Sequence, residues 1–209
     1  MQGGQLAGGQ ISDSTWAGLI DHARSATVRV ATVGCSFTAT GSGFTITPTE
    51  VVTNRHVAER AVSISVRGET GTTRVTSWEI STTDDLAVLD LDHPVNTAVL
   101  ALDTSTPIPG DLVAVVGFPL GGPMKVARGR VLAVRGASGP SAQRIETSAD
   151  ILPGSSGGPV IGTDGRVRAV TVALDLRSDT ALDIPAARVA VLRSTSVLRR
   201  PSGCPTVQP

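Results

Sequence analysis

Apolar positions Trp16, Leu19, Ile20 and Ala23 recur at helical spacing in SDSTWAGLIDHARSA, where Ser12 or Asp13 can cap a short helix. Beyond Ala26 the period changes. Runs rich in Val, Thr and Ile, broken by Gly, Pro, Asn and Asp, predict strands near 27–33, 43–47, 51–53, 62–67, 73–80 and 86–91. A looser stretch, TSTPIPGD, follows. A second set is predicted near 112–117, 125–134, 143–148, 158–162, 167–174 and 180–184. Pro185 then suits the first turn of a closing helix through about Leu192. Six short strands, a linker and six more predict an all-β chain of two small barrels or sandwiches. No strand–helix–strand pattern recurs, which disfavours a parallel α/β sheet. The expected division is an extension and short helix over 1–25, a first barrel over 26–103, a linker over 104–111, a second barrel over 112–184, and a closing helix and tail over 185–209.

Composition narrows the function classes. The chain has 209 residues, enough for a substantial core, and 40% of them are hydrophobic. Eighteen basic residues balance 18 acidic ones, so no basic stripe of the kind that binds nucleic acid is expected. With three Phe, two Trp and no Tyr, a base-stacking platform is disfavoured as well. The longest apolar run, Leu112 to Leu120, is interrupted by Gly117 and Pro119 and is too short to cross a membrane as a helix. The start, MQGGQLAGGQ, lacks the basic and apolar regions of a signal peptide and reads as the edge of an excised domain. Three scattered His and two distant Cys do not make metal-ligand spacing, so neither metal nor cofactor is expected.

Cys35 and Cys204 stand near opposite ends of the predicted barrels. A staple fits better than two buried thiols, because Cys204 lies in the polar tail RRPSGCPTVQP, where a free thiol would be exposed. Such a bridge points to an oxidising compartment.

Candidate chemistry comes from three segments. VVTNRHVAE places His56 just past an apolar strand end, DDLAVLDLD places Asp85 at the start of another, and LPGSSGGPV supplies two serines. Acyl transfer needs a nucleophile, a base to take its proton and a carboxylate to orient the base. Each segment alone reads as an ordinary turn; together, at strand ends that a scaffold can aim into one cleft, they form a candidate triad. His22 on the first helix and His93 before Pro94 read as structural residues.

The oxyanion geometry selects between the serines. Its backbone N–H donors come from the nucleophile and from the residue two positions before it. For Ser156 that residue is Gly154, whereas for Ser155 it is Pro153, which has no N–H. Ser156 is therefore the expected nucleophile, with Gly154 and Ser156 lining the oxyanion hole. GSSGG also satisfies the G-x-S-x-G elbow of α/β-hydrolases, but that elbow needs a following helix and a histidine after the serine. Here Pro159 and a strand follow, and His56 comes first.

GSGFTI, TNRHV, DLAVL, VVGFP and PGSSGGPV resemble segments of the trypsin/chymotrypsin-like serine proteases, in particular the HtrA-type bacterial branch. The resemblance extends from about Val28 to Pro185. It is closer still to actinobacterial periplasmic proteases of the MarP type, which join a cysteine ahead of the first barrel to one in the C-terminal tail, matching Cys35 and Cys204. It implies two six-stranded antiparallel barrels, with His56 as base, Asp85 as orienting acid and Ser156 as nucleophile in the cleft between them. It also implies a membrane anchor supplied by segments outside this chain. Ser155 departs from the Asp or Asn of many relatives, Arg55 from a smaller residue, and no segment remains for a PDZ domain.

The expected function is an exported, monomeric serine endopeptidase acting on peptides or unfolded proteins, in envelope protein processing or stress resistance. The alternative is a catalytically silent protease-fold module that binds partners. Asp150, six residues before Ser156, is a candidate for the specificity pocket together with Thr171, although Asp150 also reads as a loop cap. Substrate is expected to pair as an added strand near Val170 to Leu174.

Overall fold

The Val- and Thr-rich runs form strands whose alternate residues face inward, as β-branched side chains favour. The computed structural model describes residues 11–136, 143–175, 180–192 and 194–204; the expected polar start and the last five residues of the tail lie outside these. Helix α1 (Asp13–Ala26) is capped by the Ser12 hydroxyl, which accepts from the Thr15 N–H, and it buries Trp16, Ile20, Ala23 and Ala26. The first barrel contains β1 (Thr27–Val33), β2 (Thr38–Thr47), β3 (Glu50–Thr53), β4 (Ser63–Arg67), β5 (Thr72–Ser81) and β6 (Ala87–Leu91). Its order is β5-β4-β1-β2-β3-β6, closed by pairing of β5 with β6. The second contains β7 (Leu112–Gly117), β8 (Lys125–Arg135), β9 (Arg144–Thr147), β10 (Pro159–Gly162), β11 (Val167–Asp175) and β12 (Thr180–Pro185), closed in the order β10-β11-β12-β9-β8-β7. The chain is thus two closed six-stranded antiparallel barrels, the all-β class expected.

Each barrel has its own core. Val28, Val30, Ile64, Trp78 and Leu89 fill the first, and Val113, Val115, Val131, Ile145 and Val160 the second. A third cluster lies between them. Trp16 and Ile20 of α1 meet Phe44 and Val52 of the first barrel, Val116, Ile161 and Val170 of the second, and Val189 and Leu192 of the closing helix α3 (Ala187–Leu192). This shared apolar layer fixes the cleft at the barrel junction, because close-packed interiors resist sliding.

Three features depart from the sequence pattern. Strand β2 begins at Thr38, well before the predicted 43, because its register with β1 runs from Val33↔Thr38 to Thr27↔Phe44 despite two glycines. Residues 55–58 form a one-turn helix, α2 (Arg55–Ala58). After α3 an unexpected strand, β13 (Ser196–Arg199), pairs antiparallel with β5. The C-terminal segment continues across the first barrel, where the Ser202 N–H donates to Val62 O, and ends at the Cys35–Cys204 disulfide. The staple expected from the sequence is present.

One buried carboxyl carries a stability consequence. Asp183 on β12 is wholly buried inside the second barrel, opposite Thr171 of β11. Burial pushes its carboxyl up to about 7 from an ordinary 3.8, against the pull of the Thr147 and Thr171 hydroxyls. Only the Thr147 hydroxyl closes a hydrogen bond, at 3.2 Å to Oδ2, and Oδ1 has no partner. The native state therefore holds this proton more tightly than the unfolded chain does. Stability should fall as pH rises from about 4 to about 7 and level off above that. The full span corresponds to at most about 4 kcal/mol. Asp183→Asn is expected to raise the urea midpoint at pH 8 and to change it little near pH 4. Parallel pH dependences for the two proteins would refute this.

Candidate active site

Strand pairing brings the first two candidate residues together. Strand β3 lies antiparallel to β6 with Thr53 opposite Ala87, so the residues just after β3 sit beside those just before β6. His56 enters on the single turn of α2, and Asp85 ends the loop leading into β6. His56 Nδ1 lies 2.7 Å from Asp85 Oδ2, and the His56 backbone N–H donates to Oδ1 at 2.8 Å. The buried Asn54 amide donates to the Asp85 carbonyl at 2.9 Å. Imidazole and carboxylate are thereby fixed in two directions. Burial works to raise the Asp85 pKa, but the hydrogen bonds from the His56 ring and backbone, with the charges of His56 and Arg55, outweigh it and hold it below 3.8. Arg55 pairs with Glu59, 3.5 Å away, and donates to Ser81 O at 3.4 Å.

The loop bearing Ser156, the candidate nucleophile, runs from β9 to β10 and presses against the first barrel. A Cβ on Gly157 (φ +88°) would stand 2.1 Å from Ser42 O and 2.5 Å from Thr53 Oγ1, so only glycine lets the loop approach β2 and β3. Ser42 organises the contact. Its N–H donates to Ser156 O at 2.8 Å; its hydroxyl donates to Gly154 O at 2.7 Å and accepts from the Phe118 N–H at 2.9 Å. Gly154 has φ +95°, and a Cβ there would meet Leu120 N and Phe118 O at 2.7 Å.

Backbone donors in this loop divide into two groups. The Ser155 N–H donates to Leu152 O, that of Gly157 to Thr171 O and that of Gly158 to Ser155 O. The N–H groups of Gly154 and Ser156 have no acceptor among the described residues. Two uncommitted donors two residues apart in one loop are candidates to receive a developing negative oxygen. The Ser156 hydroxyl donates to Val172 O at 2.8 Å, and no hydrogen bond joins it to His56.

Behind Asp85 lies a polar clamp that sequence reasoning missed. Asp84 Oδ2 accepts from Arg188 Nε at 3.1 Å and Nη2 at 2.6 Å, and from the Thr83 hydroxyl at 3.0 Å. Both charged side chains are buried, which ties α3 to the loop bearing Asp85. Ser42 and Leu120 were likewise not singled out. Leu120 adopts φ +56°, a strained value for a leucine, and its N–H is held by Pro153 O at 2.6 Å. Ser42 lies within GSGFTI and Leu120 directly follows VVGFP, but nothing local distinguishes them. Asp150 is exposed beside a cavity of about 70 Å³ that Lys125 and Ser155 also border, while Thr171 lies buried against Asp183. His22 bonds Val99 O and His93 the Thr73 hydroxyl, both away from His56.

Comparisons with known proteins identify the family. The family model described as Trypsin-like peptidase domain matches residues 41–170, well over half of the chain. The serine protease HTRA1B of Danio rerio is 29% identical over 174 residues, covering 79% of this chain and 36% of that protein. The serine protease Do-like HtrA of Bacillus subtilis is 36% identical over 130 residues, covering 56% of this chain and 28% of its own length. This chain thus spans roughly a third or less of the curated relatives it matches. In fold it is similar to the Rv3671c protease of M. tuberculosis in its active form, with TM-score 0.79 and 23% identity over 92% of this chain and 90% of that one. The serine endoprotease of Yersinia pestis superposes with TM-score 0.74 at 25% identity, covering 88% of this chain and 67% of the other. Family match, relatives and paired barrels converge: the chain belongs to the trypsin-like peptidases, as a serine protease domain of the HtrA-like group.

Proposed function

We propose that this chain is an exported serine endopeptidase domain, with His56 as general base, Asp85 as orienting acid and Ser156 as nucleophile. The observation that supports the reading is the doubly bonded His56–Asp85 pair, together with the uncommitted Gly154 and Ser156 N–H groups of the loop that packs on the same barrel. Ionised Asp85 holds Nδ1–H of His56, leaving Nε2 to accept the Ser156 proton as Oγ attacks the substrate carbonyl. The tetrahedral oxyanion is received by the two N–H groups. Its collapse passes the proton from His56 to the leaving amine and leaves an ester on Ser156, which water hydrolyses by the same route in reverse.

Reaching that geometry requires the Ser156 hydroxyl to leave Val172 O. A substrate strand pairing along Val170–Leu174 supplies the means, since its N–H can take Val172 O and release the hydroxyl toward His56. Catalytic hydrogen bonds commonly tighten only in the substrate complex. On this reading Asp150 and Thr171 flank the acyl-side pocket. The substrates are peptides or unfolded protein segments.

Export is supported by the Cys35–Cys204 disulfide and by the E. coli relative DegP, described as a periplasmic serine endoprotease and 32% identical over 148 residues. No described helix is long and apolar enough to cross a membrane. The Ser156–Val172 bond favours a second reading, a silent module that binds peptides without cleaving them. Labelling with a fluorophosphonate, together with casein turnover, separates the two: an unlabelled, inactive protein would overturn the peptidase reading. Gly154→Ala is expected to lower kcat at least about 10²-fold, the usual effect of losing one oxyanion donor. Its Cβ would force the 118–120 backbone away and turn the N–H out of line. Full activity in this variant would refute the oxyanion assignment.

A further inference from the structure

A cavity of about 500 Å³ lies outside the candidate triad and is lined by three arginines, Arg24, Arg29 and Arg67, with Glu69, Phe118 and Met124. Arg29 of β1 and Arg67 of β4 are direct register partners. Like charges directly opposite on antiparallel strands repel, and an anion between them relieves that repulsion. Arg24 adds a third positive charge from the last turn of α1. The side chains of Arg24 and Arg67 have no hydrogen-bond or ion-pair partner among the described residues. Glu69, the one acid in the wall, accepts from the Thr97 hydroxyl at 3.3 Å. The Arg29 guanidinium lies over the Phe118 ring, 5.1 Å from its centre, and Nη2 donates to Gly122 O at 2.6 Å. Its Nε is buried and has no acceptor. Such a donor gains from any acceptor that arrives.

Two residues of the cavity wall, Arg29 and Phe118, connect it to the loop bearing Ser156. Arg29 stands opposite Ser42 in the β1–β2 register, and Ser42 holds both Gly154 O and Ser156 O. Phe118, stacked under Arg29, presents its own carbonyl to Gly154. Val172, on β11, accepts from the Ser156 hydroxyl. On the peptidase reading, a peptide whose acyl part pairs with β11 and whose carbonyl enters the Gly154–Ser156 donors directs its leaving part past Ser42 and Phe118 to this cavity.

We infer that the arginine-lined cavity is a subsite for a carboxylate on the leaving-group side of the peptide substrate. The carboxylate is an Asp or Glu side chain downstream of the scissile bond, or the peptide's own C-terminus. The inference rests on the peptidase reading for its direction along the substrate, and on the arginine cluster for its charge.

The test uses quenched fluorescent peptides that are identical except for Glu or Gln at the second and third positions after the cleaved bond. Each is made with an amidated and with a free C-terminus. The Glu peptide should show kcat/KM about tenfold above the Gln peptide at low salt, as a charge-assisted contact implies. The preference should shrink in 0.5 M NaCl, where the Debye length is only about 4–5 Å. Arg29→Gln, and separately the Arg24→Gln, Arg67→Gln pair, should bring the ratio toward one. Because the ratio is read within each variant, general loss of folding does not mimic the effect. Preference for free over amidated ends with none for Glu would support the subsite and assign it to the terminal carboxylate. Equal turnover of all four peptides, or a preference that survives the substitutions, would overturn it. A binding arm separates this from failure of the peptidase reading: Ser156→Ala protein, titrated calorimetrically with the same peptides, should bind the carboxylate-bearing ones more tightly. No difference there refutes the subsite whether or not the protein cleaves.

Discussion

Ser156→Ala is expected to abolish casein cleavage and fluorophosphonate labelling, whereas Ser155→Ala should retain most of both. The two neighbours differ in what their backbone can do. The Ser156 N–H has no acceptor among the described residues, and Gly154, two positions upstream, offers a second uncommitted donor. The Ser155 N–H is already spent on Leu152 O, and two positions before it stands Pro153, which has no N–H. A nucleophile at 155 would lack both oxyanion donors. Loss of the Ser156 hydroxyl removes the covalent step, and comparable substitutions lower kcat by up to about 10⁶. Ser155 is buried with its Cα close to Gly117, so its loss should cost about 1 kcal/mol or less in stability. A labelled, active Ser156 variant beside a dead Ser155 variant would reverse the assignment.

Replacing Cys35 and Cys204 with serine is expected to produce the largest loss of stability. The bridge closes a span of 169 residues, with Cα atoms 5.4 Å apart. Constraining so long a loop in the unfolded chain is worth up to about 5 kcal/mol in the chain-entropy model. For a domain of this size that corresponds to a fall in Tm of roughly 10–20 °C. Few other contacts hold the C-terminal segment. Strand β13 exposes Val197, Leu198 and Arg199 and is anchored mainly by its four-residue pairing with β5. Thermal melts of native and doubly substituted protein test this, beside a thiol count on denatured, unreduced protein. An unchanged Tm, or two titratable thiols, would sink the expectation.

What could be read from the sequence is what local chemistry dictates. Alternation in TVRVATV and TTRVTSWEIS specifies strands because a pleated strand sends successive side chains to opposite faces. The glycines and Pro153 in LPGSSGG make Ser156 the candidate nucleophile because backbone dihedrals and missing N–H groups are properties of single residues. His56 and Asp85 were legible as strand-end residues, and β3–β6 pairing brought them to 2.7 Å. Other features depended on distant chain meeting. Strand β13 carries little apolar signal and exists because β5 offers an edge 117 residues away, as the Glu79–Ser196 contact measures. Ser42 became the hub of the nucleophile loop through bonds to Gly154 and Ser156 that no local pattern announces. The Arg188–Asp84 clamp, the buried Asp183 and the facing Arg29 and Arg67 arise the same way. Periodicity reports which way a side chain points; only closure of the barrels and their packing around α1 decides what it meets there.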